Sequence, residues 1–299
     1  MWGRHHVGVP VGVVDVGSNT VRLLVSENGR TVLSERAMLR LGADIERHGE
    51  IPEAKLAQTA SVVAGFVADA RAAGVEAIEI LIASPGRQAA NGAELAERLQ
   101  RASACRTRVL SSVEEGRLAF VGALSCARIT GWRTVAVVDV GGGSAQVVVG
   151  SRKTGPTWSR SIDLGSQRLT SRLLSDDPPG ETAVDRAREE VARYLEGFDP
   201  PIARTTLAVG GSARALKRIA GGRIGAAELD DALEQLAVTP TAVLARRYGI
   251  GEERARTLPA GAVILAALQQ RLGTPLKVQR GGLREGALLT LAAEHALAA

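Results

Sequence analysis

The chain has 299 residues, 45% of them hydrophobic and 23% charged, an ordinary globular composition at a length that suggests two domains and argues against a disordered or fibrous protein. Net charge is +5, from 37 basic and 32 acidic residues, and only Lys55, Lys153, Lys217 and Lys277 are lysines, so the basicity rests on arginine, whose planar fork suits phosphate and carboxylate. Aromatic residues at 3% are too few for base-stacking platforms, and no run approaches the ~20 apolar residues of a membrane span, so neither a nucleic acid nor a membrane is expected as partner.

Met1 to Pro10 carries Arg4, His5 and His6 before a short apolar run, which reaches Asp15 with no cleavage-site pattern and so reads as a strand and not as a signal peptide. A small-residue turn, a second strand to Val25 and a third over Thr31–Leu41 follow. Glu53–Gly74 reads as a helix with Leu56, Val63, Phe66, Val67 and Ala70 on one face. Next come a strand over Ile78–Ala83, a helix over Ala93–Ser103 capped by Asn91, a short strand at Val109–Ser111 and a helix over Glu114–Ile129.

The second half repeats strand, turn and strand, with a third strand over Thr157–Leu164. A loop at Asp176–Gly180 precedes a helix over Thr182–Phe198 with Val184, Ala187, Val191 and Leu195 inward. The strand Thr206–Val209 opens through Gly210-Gly211-Ser212 into a helix to Ile219. Helices over Glu228–Ala237 and Ala260–Leu272, a strand at Leu276–Val278, and a last helix after Gly281-Gly282 complete the chain. Strands interleaved with helices define an α/β class. The expected domains are 1-128, on which the C-terminal helix 287-299 packs, and 129-286.

An internal repeat organises these elements. Val13-Val14-Asp15-Val16-Gly17-Ser18-Asn19-Thr20 and the strand to Val25 align without gaps on Val137-Val138-Asp139-Val140-Gly141-Gly142-Gly143-Ser144 and the strand to Val149, 124 residues later. The match extends to Leu41-Gly42 and Leu164-Gly165. Successive N–H groups of such a turn hold phosphate oxygens, and glycine lets the backbone approach closely. Ser18, Asn19, Thr20 and Ser144 add side-chain donors, while Asp15 and Asp139 can hold hydrated Mg²⁺ against a phosphate. One such turn alone reads as an ordinary hairpin; two matched copies favour a phosphate clamp.

No lysine follows a glycine, so no Walker A loop is present. His5, His6, His48 and His295 form no metal or triad pattern. The two cysteines, Cys105 and Cys126, form no disulfide framework and fit a reducing cytoplasm.

These residues resemble the exopolyphosphatase/guanosine pentaphosphate phosphatase (Ppx/GppA) family of the actin/hexokinase/Hsp70 superfamily, over nearly the whole chain. Asp15-Val-Gly-Ser-Asn-Thr is similar to the family's first phosphate turn and Asp139-Val-Gly-Gly-Gly-Ser to its second. Arg40-Leu-Gly and Gly49 resemble the stretch before its first helix, and Ala83–Asn91 resembles its A-T-x-x-x-R-x-A-x-N segment, with Arg87 in the loop after the strand Ile78–Ala83. Glu114-Glu115-Gly-Arg-Leu resembles its E-E-A-R-L helix start, and Gly210-Gly211-Ser212 and Gly281-Gly282-Leu-Arg284-Glu-Gly its later glycine turns.

The resemblance implies two actin-like (ribonuclease H-like) domains with mixed sheets flanked by helices and an active-site cleft between them. It implies Mg²⁺-dependent release of terminal orthophosphate from polyphosphate, or from guanosine penta- or tetraphosphate, by water that a glutamate activates. That role falls on Glu115, with Glu114 as the neighbour to test and Arg87 as a phosphate fork; Arg117 can instead pair with Glu114. Gly210, Gly211, Ser212 and Arg284 are further anion contacts, Arg284 alternatively orienting a carboxylate or bracing the last helix. The lack of an HD-type domain suggests short chains as substrate, and family members often pair as homodimers.

Gln146 stands where the family usually has glutamate, Ser112-Val113 replaces a glycine-containing pair, and Pro85-Gly86 is an unusual step before Arg87. These departures keep a non-catalytic polyphosphate or (p)ppGpp sensor as one alternative. An ATP-dependent kinase of the same superfamily is another, with Gly210-Gly211-Ser212 as its adenosine contact.

Overall fold

A computed structural model describes residues 10–129 and 131–298. Arg4, His5, His6 and the part of the expected strand before Pro10 lie outside the described residues. The chain divides into two units, one comprising the chain up to Glu114 together with the segment from Arg284, the other Glu115–Leu283. The division falls at the start of the helix expected over Glu114–Ile129, whereas the sequence places the domain boundary near its end.

In the first unit, β1 (Val11–Val16), β2 (Thr20–Glu27) and β3 (Arg30–Met38) form an antiparallel meander followed by α1 (Leu41–His48) and α2 (Glu53–Ala72). Then come β4 (Ala77–Ile82), the short α3 (Ser84–Gln88), α4 (Gly92–Ser103) and β5 (Arg106–Val109). The sheet order is β3-β2-β1-β4-β5, with β4 parallel to both β1 and β5. A strand covered on both faces reads as a continuous apolar run, and Val13, Val14 and Val16 are all fully buried. The face carrying Val14, Leu23 and Ile80 packs on Leu56, Val63, Phe66 and Val67 of α2 and on Leu95 and Leu99 of α4.

The helix α5 (Ser112–Cys126) leads into the second unit, where β6 (Val135–Val140), β7 (Ala145–Ser151) and β8 (Gly155–Ile162) repeat the meander. They are followed by α6 (Ser166–Leu173), α7 (Glu181–Tyr194), β9 (Thr205–Val209), α8 (Gly210–Ala220), β10 (Arg223–Ile224) and α9 (Ala226–Val238). The remainder is α10 (Thr241–Tyr248), α11 (Glu252–Arg256), α12 (Leu258–Leu272), β11 (Leu276–Val278) and finally α13 (Leu283–Ala298). The sheet order β8-β7-β6-β9-β11 has the same sense as in the first unit, with β10 added antiparallel at the edge. Both units therefore have the actin-like, ribonuclease H-like arrangement. The apolar α12 is buried along most of its length and packs against α6, α7, α8 and α9.

Several expectations need correction. Asn91 does not cap α4 through its side chain; its amide exchanges two hydrogen bonds with the backbone of Ile51, at 2.9 and 2.8 Å. The strand expected at Val109–Ser111 is β5, which ends at Val109. The third strands stop at Met38 and Ile162, before the glycines that begin α1 and precede α6. Arg87 lies in α3 and not in a loop. The Gly86 before it has a packing reason, since a Cβ there would stand 2.8 Å from Val109 Cγ1. The helices α1, α6, α10 and α11 carry too short or too polar a pattern to have been read.

Candidate active site

The two turns are built alike. Gly17 N–H donates to Thr20 O at 3.1 Å and Gly141 N–H to Ser144 O at 3.0 Å, the same bond at the repeat offset. Each hairpin is then braced from outside by the helix that follows the third strand. Gly42 N–H donates to Ser18 O at 2.7 Å, and Leu39 and Arg40 N–H to Asn19 O. In the second unit Ser166 N–H donates to Gly141 O, and Gln167 and Arg168 N–H to Gly142 O. A trans peptide points its N–H opposite to its C=O. Carbonyls drawn toward the bracing helix therefore turn the N–H groups of Asn19, Gly142 and Gly143 away from it, which is the orientation an anion-binding nest requires.

Glycine is needed at the brace in both units. A Cβ on Gly42 would come within 2.9 Å of Ser18 Cβ, and one on Gly165 within 2.6 Å of Gly143 N and closer still to the Gly142 carbonyl. The serines of the turns face inward. Ser18 is buried with its Oγ 2.6 Å from Ser84 Oγ, and buried Ser144 Oγ accepts from Gln146 Nε2 at 2.8 Å. Their hydroxyls fix the turns, whereas Gly17, Asn19, Thr20, Gly141 and Gly142 are half-exposed. Thr20 Oγ1 accepts from Arg22 Nε at 3.1 Å.

The two aspartates occupy the next-to-last positions of equivalent strands with different cross-strand neighbours, Arg22 opposite Asp15 and Gln146 opposite Asp139. Burial pushes the Asp15 carboxyl above its ordinary range, Arg284 and Arg22 pull it back, and Glu285 raises it. Arg284 thus acts electrostatically on Asp15's carboxylate. Asp139 packs against Gly210, whose φ of 86° and whose lack of a Cβ are both required: an added methyl would overlap Asp139 Oδ1.

Gly211 carries the guanidinium of Arg254, which a Cβ there would meet at 2.5 Å. Arg254 Nη1 reaches Ser212 Oγ at 3.4 Å, and Ser212 is fully buried, so its hydroxyl serves Arg254 and the Gly261 contact and does not face a ligand as expected. Burial and the nearby Arg214 lower Arg254's pKa, and Asp139 opposes them. Nothing in the run Glu252-Glu253-Arg254-Ala255-Arg256 marked this arginine, because alternating charges read as a solvated helix.

The two glutamates separate clearly. Glu114 Oε2 accepts from Ser111 N–H at 2.9 Å and Ser111 Oγ at 2.7 Å, and Ser111 Oγ accepts from Glu114 N–H at 3.2 Å. This is a reciprocal capping box at the start of α5. Those hydrogen bonds, with help from Arg108, hold Glu114's carboxyl below its usual range. The pairing with Arg117 is not made; Arg108 Nη1 takes that place at 3.1 Å, and Arg117 is exposed. Glu115 is buried, and the Gly116 beside it lies against Val148 and Gln146. Arg87 Nη1 donates to Leu110 O at 2.6 Å and so holds the segment leading into α5.

Among the described residues no three His, Cys, Asp or Glu side chains cluster to enclose a metal ion. Each turn offers a single carboxylate, Asp15 in the first unit and Asp139 in the second, and Asn19 Oδ1 is a buried acceptor that no donor among the described residues satisfies. Such a set fits magnesium, which keeps several waters and takes one or two carboxylates with substrate phosphates. No described helix is long and apolar enough to cross a membrane.

Fold and turns together define a duplicated actin-like protein with the same strand-turn-strand hairpin in each unit. The family model of the Ppx/GppA phosphatase family matches residues 24–295, and the chain belongs to that family. It is 30% identical to Exopolyphosphatase 1 of Mycobacterium leprae (strain TN), across 93% of this chain and 88% of that one. Among solved structures, the Ppx/GppA family member of Aquifex aeolicus superposes with a TM-score of 0.81 at 24% identity, covering 96% of this chain and 98% of that one. An exopolyphosphatase from Cytophaga hutchinsonii ATCC 33406 gives 0.83 at 19% identity, covering 95% and 98%.

Proposed function

We propose that this protein is an exopolyphosphatase that removes terminal orthophosphate from inorganic polyphosphate, short chains preferred, with guanosine pentaphosphate as a second candidate substrate. The observation that carries the reading is the difference between the two glutamates at the start of α5: Glu114 caps the helix through Ser111, while Glu115 is buried and its neighbour Gly116 lies against Gln146 of the second turn strand.

In this reading water attacks the terminal phosphorus in line with the bridging oxygen. The bond from phosphorus to that oxygen breaks, orthophosphate leaves, and the chain shortens by one unit. Glu115 accepts the proton of the attacking water. The N–H groups of the second turn and Arg254 offset charge on the phosphate oxygens. Asp139, in the second turn strand, is the carboxylate that would hold magnesium, which supplies further charge neutralisation when bound, and Asp15 is its counterpart in the first unit. Cys105 and Cys126 are free thiols, in keeping with a reducing cytoplasm.

The test is phosphate release from triphosphate, long-chain polyphosphate, pppGpp and ATP, with and without Mg²⁺, for the parent and Glu115→Gln. The expected result is Mg²⁺-dependent release from polyphosphate that falls at least about a hundredfold in the variant, the range of a lost general base. Undiminished release in Glu115→Gln refutes the assignment of the base. Tight binding of polyphosphate without turnover in the parent favours the sensor reading, for which Gln146 is the motive.

A further inference from the structure

We infer that Arg108 is a positioning residue for Glu115: it ties the capping box at the start of α5 to a buried carboxylate in the neighbouring strand. The inference rests on the reading of Glu115 as the base.

Arg108 is in β5, at the edge of the first unit's sheet, and two of its nitrogens serve two different carboxylates. Its Nε donates to Glu79 Oε1 at 2.7 Å and its Nη1 to Glu114 Oε1 at 3.1 Å. Glu79, in β4, has a side chain only 7% exposed. A carboxylate at that depth requires a cationic partner, and Arg106 lies further away, at 3.5 Å. The Glu79–Arg108 pair is therefore anchored in the sheet and does not wander as a surface ion pair would.

The other end of the relay is not needed for capping. Ser111 and Glu114 already satisfy one another reciprocally through Oε2, and Arg108 binds the remaining oxygen, Oε1. What Arg108 adds is a fixed connection from the sheet to the first turn of α5. Arg87 holds the same segment one residue earlier, through the carbonyl of Leu110.

Glu115 follows Glu114 in the same turn, so any displacement of Glu114 is transmitted to it through one peptide. A proton acceptor must sit within hydrogen-bond reach of the attacking water, and a misplacement of about 1 Å can cost about a hundredfold in rate. A relay that cancels such drift acts on turnover and leaves the substrate's own contacts alone.

The experiment measures kcat and KM for phosphate release from triphosphate in Arg108→Gln, Arg108→Lys, Glu114→Gln and Glu115→Gln, with a melting curve for each. Arg108→Gln is expected to lower kcat by ten- to a hundredfold, with KM within about threefold of the parent. Arg108→Lys, which keeps the charge on Glu79, is expected to recover part of the loss. Glu114→Gln, at a half-exposed site where folding is not in question, is expected to reproduce the kcat loss. The inference is overturned if Arg108→Gln and Glu114→Gln both keep the parent's kcat while Glu115→Gln is inactive, or if the loss lies in KM. An active Glu115→Gln removes the base reading and the inference with it.

Discussion

The brace behind the second turn makes a sharp prediction for Gly165→Ala. The new Cβ would stand 2.6 Å from Gly143 N, where ordinary contact begins near 3.4 Å, and the Gly142 carbonyl is nearer still. Its neighbours are backbone atoms, so no side chain can swing aside, and the turn must withdraw by about 0.8 Å or more. Overpacking of this kind costs about 1–3 kcal/mol. At about 2–4 °C per kcal/mol for a unit of this size, melting should fall by roughly 2–12 °C. A shift approaching 1 Å in a group that orients substrate costs up to about a hundredfold in turnover. Gly42→Ala, which meets the Ser18 side chain at 2.9 Å, should have the smaller effect of the two. Calorimetry and steady-state phosphate release on both variants decide the matter. If Gly165→Ala melts lower but turns over like the parent, the second turn does not hold the reacting phosphates. If both stability and turnover are unchanged, the account of the brace is wrong.

Two other variants test charge at the site. Asp15 has a folded-state pKa raised chiefly by burial, so the stability linked to it is present below its unfolded pKa, about 3.9, and is lost as pH rises through the folded value. Asp15→Asn should therefore melt above the parent at pH 7, approach it below about pH 4, and release phosphate at least about tenfold more slowly; a lower melting point at pH 7 contradicts the desolvation argument. Arg254→Gln removes a cation that burial disfavours, so its melting point should not fall, while KM for triphosphate should rise about tenfold or more, the worth of one charged hydrogen bond. An unchanged KM removes Arg254 from the anion site.

Much of the architecture was legible because it is periodic. The strands around Asp15 and Asp139 are apolar runs with one aspartate at the next-to-last position, and they share one burial pattern. The gapless repeat identified the turns, and the bond from Gly17 to Thr20 recurs from Gly141 to Ser144 at the same spacing. Long amphipathic helices such as α2 and α7 were legible for the same reason: their inward faces recur at the helical period. Short elements were not. Five-residue α3 and α11 present no full period, so nothing in the sequence pattern marks Arg87 or Arg254 as helical.

The roles of individual polar residues were decided by partners distant in sequence. Glu114 and Glu115 are indistinguishable as letters, and only the turn of the helix buries one and gives the other to Ser111. Arg108 became legible through Glu79, 29 residues away, and Ser212 lost its expected ligand role to Arg254, 42 residues on. Backbone pattern is encoded locally, in side-chain period and turn chemistry, so the sequence by itself determined the class, the duplication and the two turns. Whether a carboxylate or hydroxyl faces a ligand or another residue depends on contacts that exist only after the sheet has brought remote segments together, and that was left to the tertiary structure.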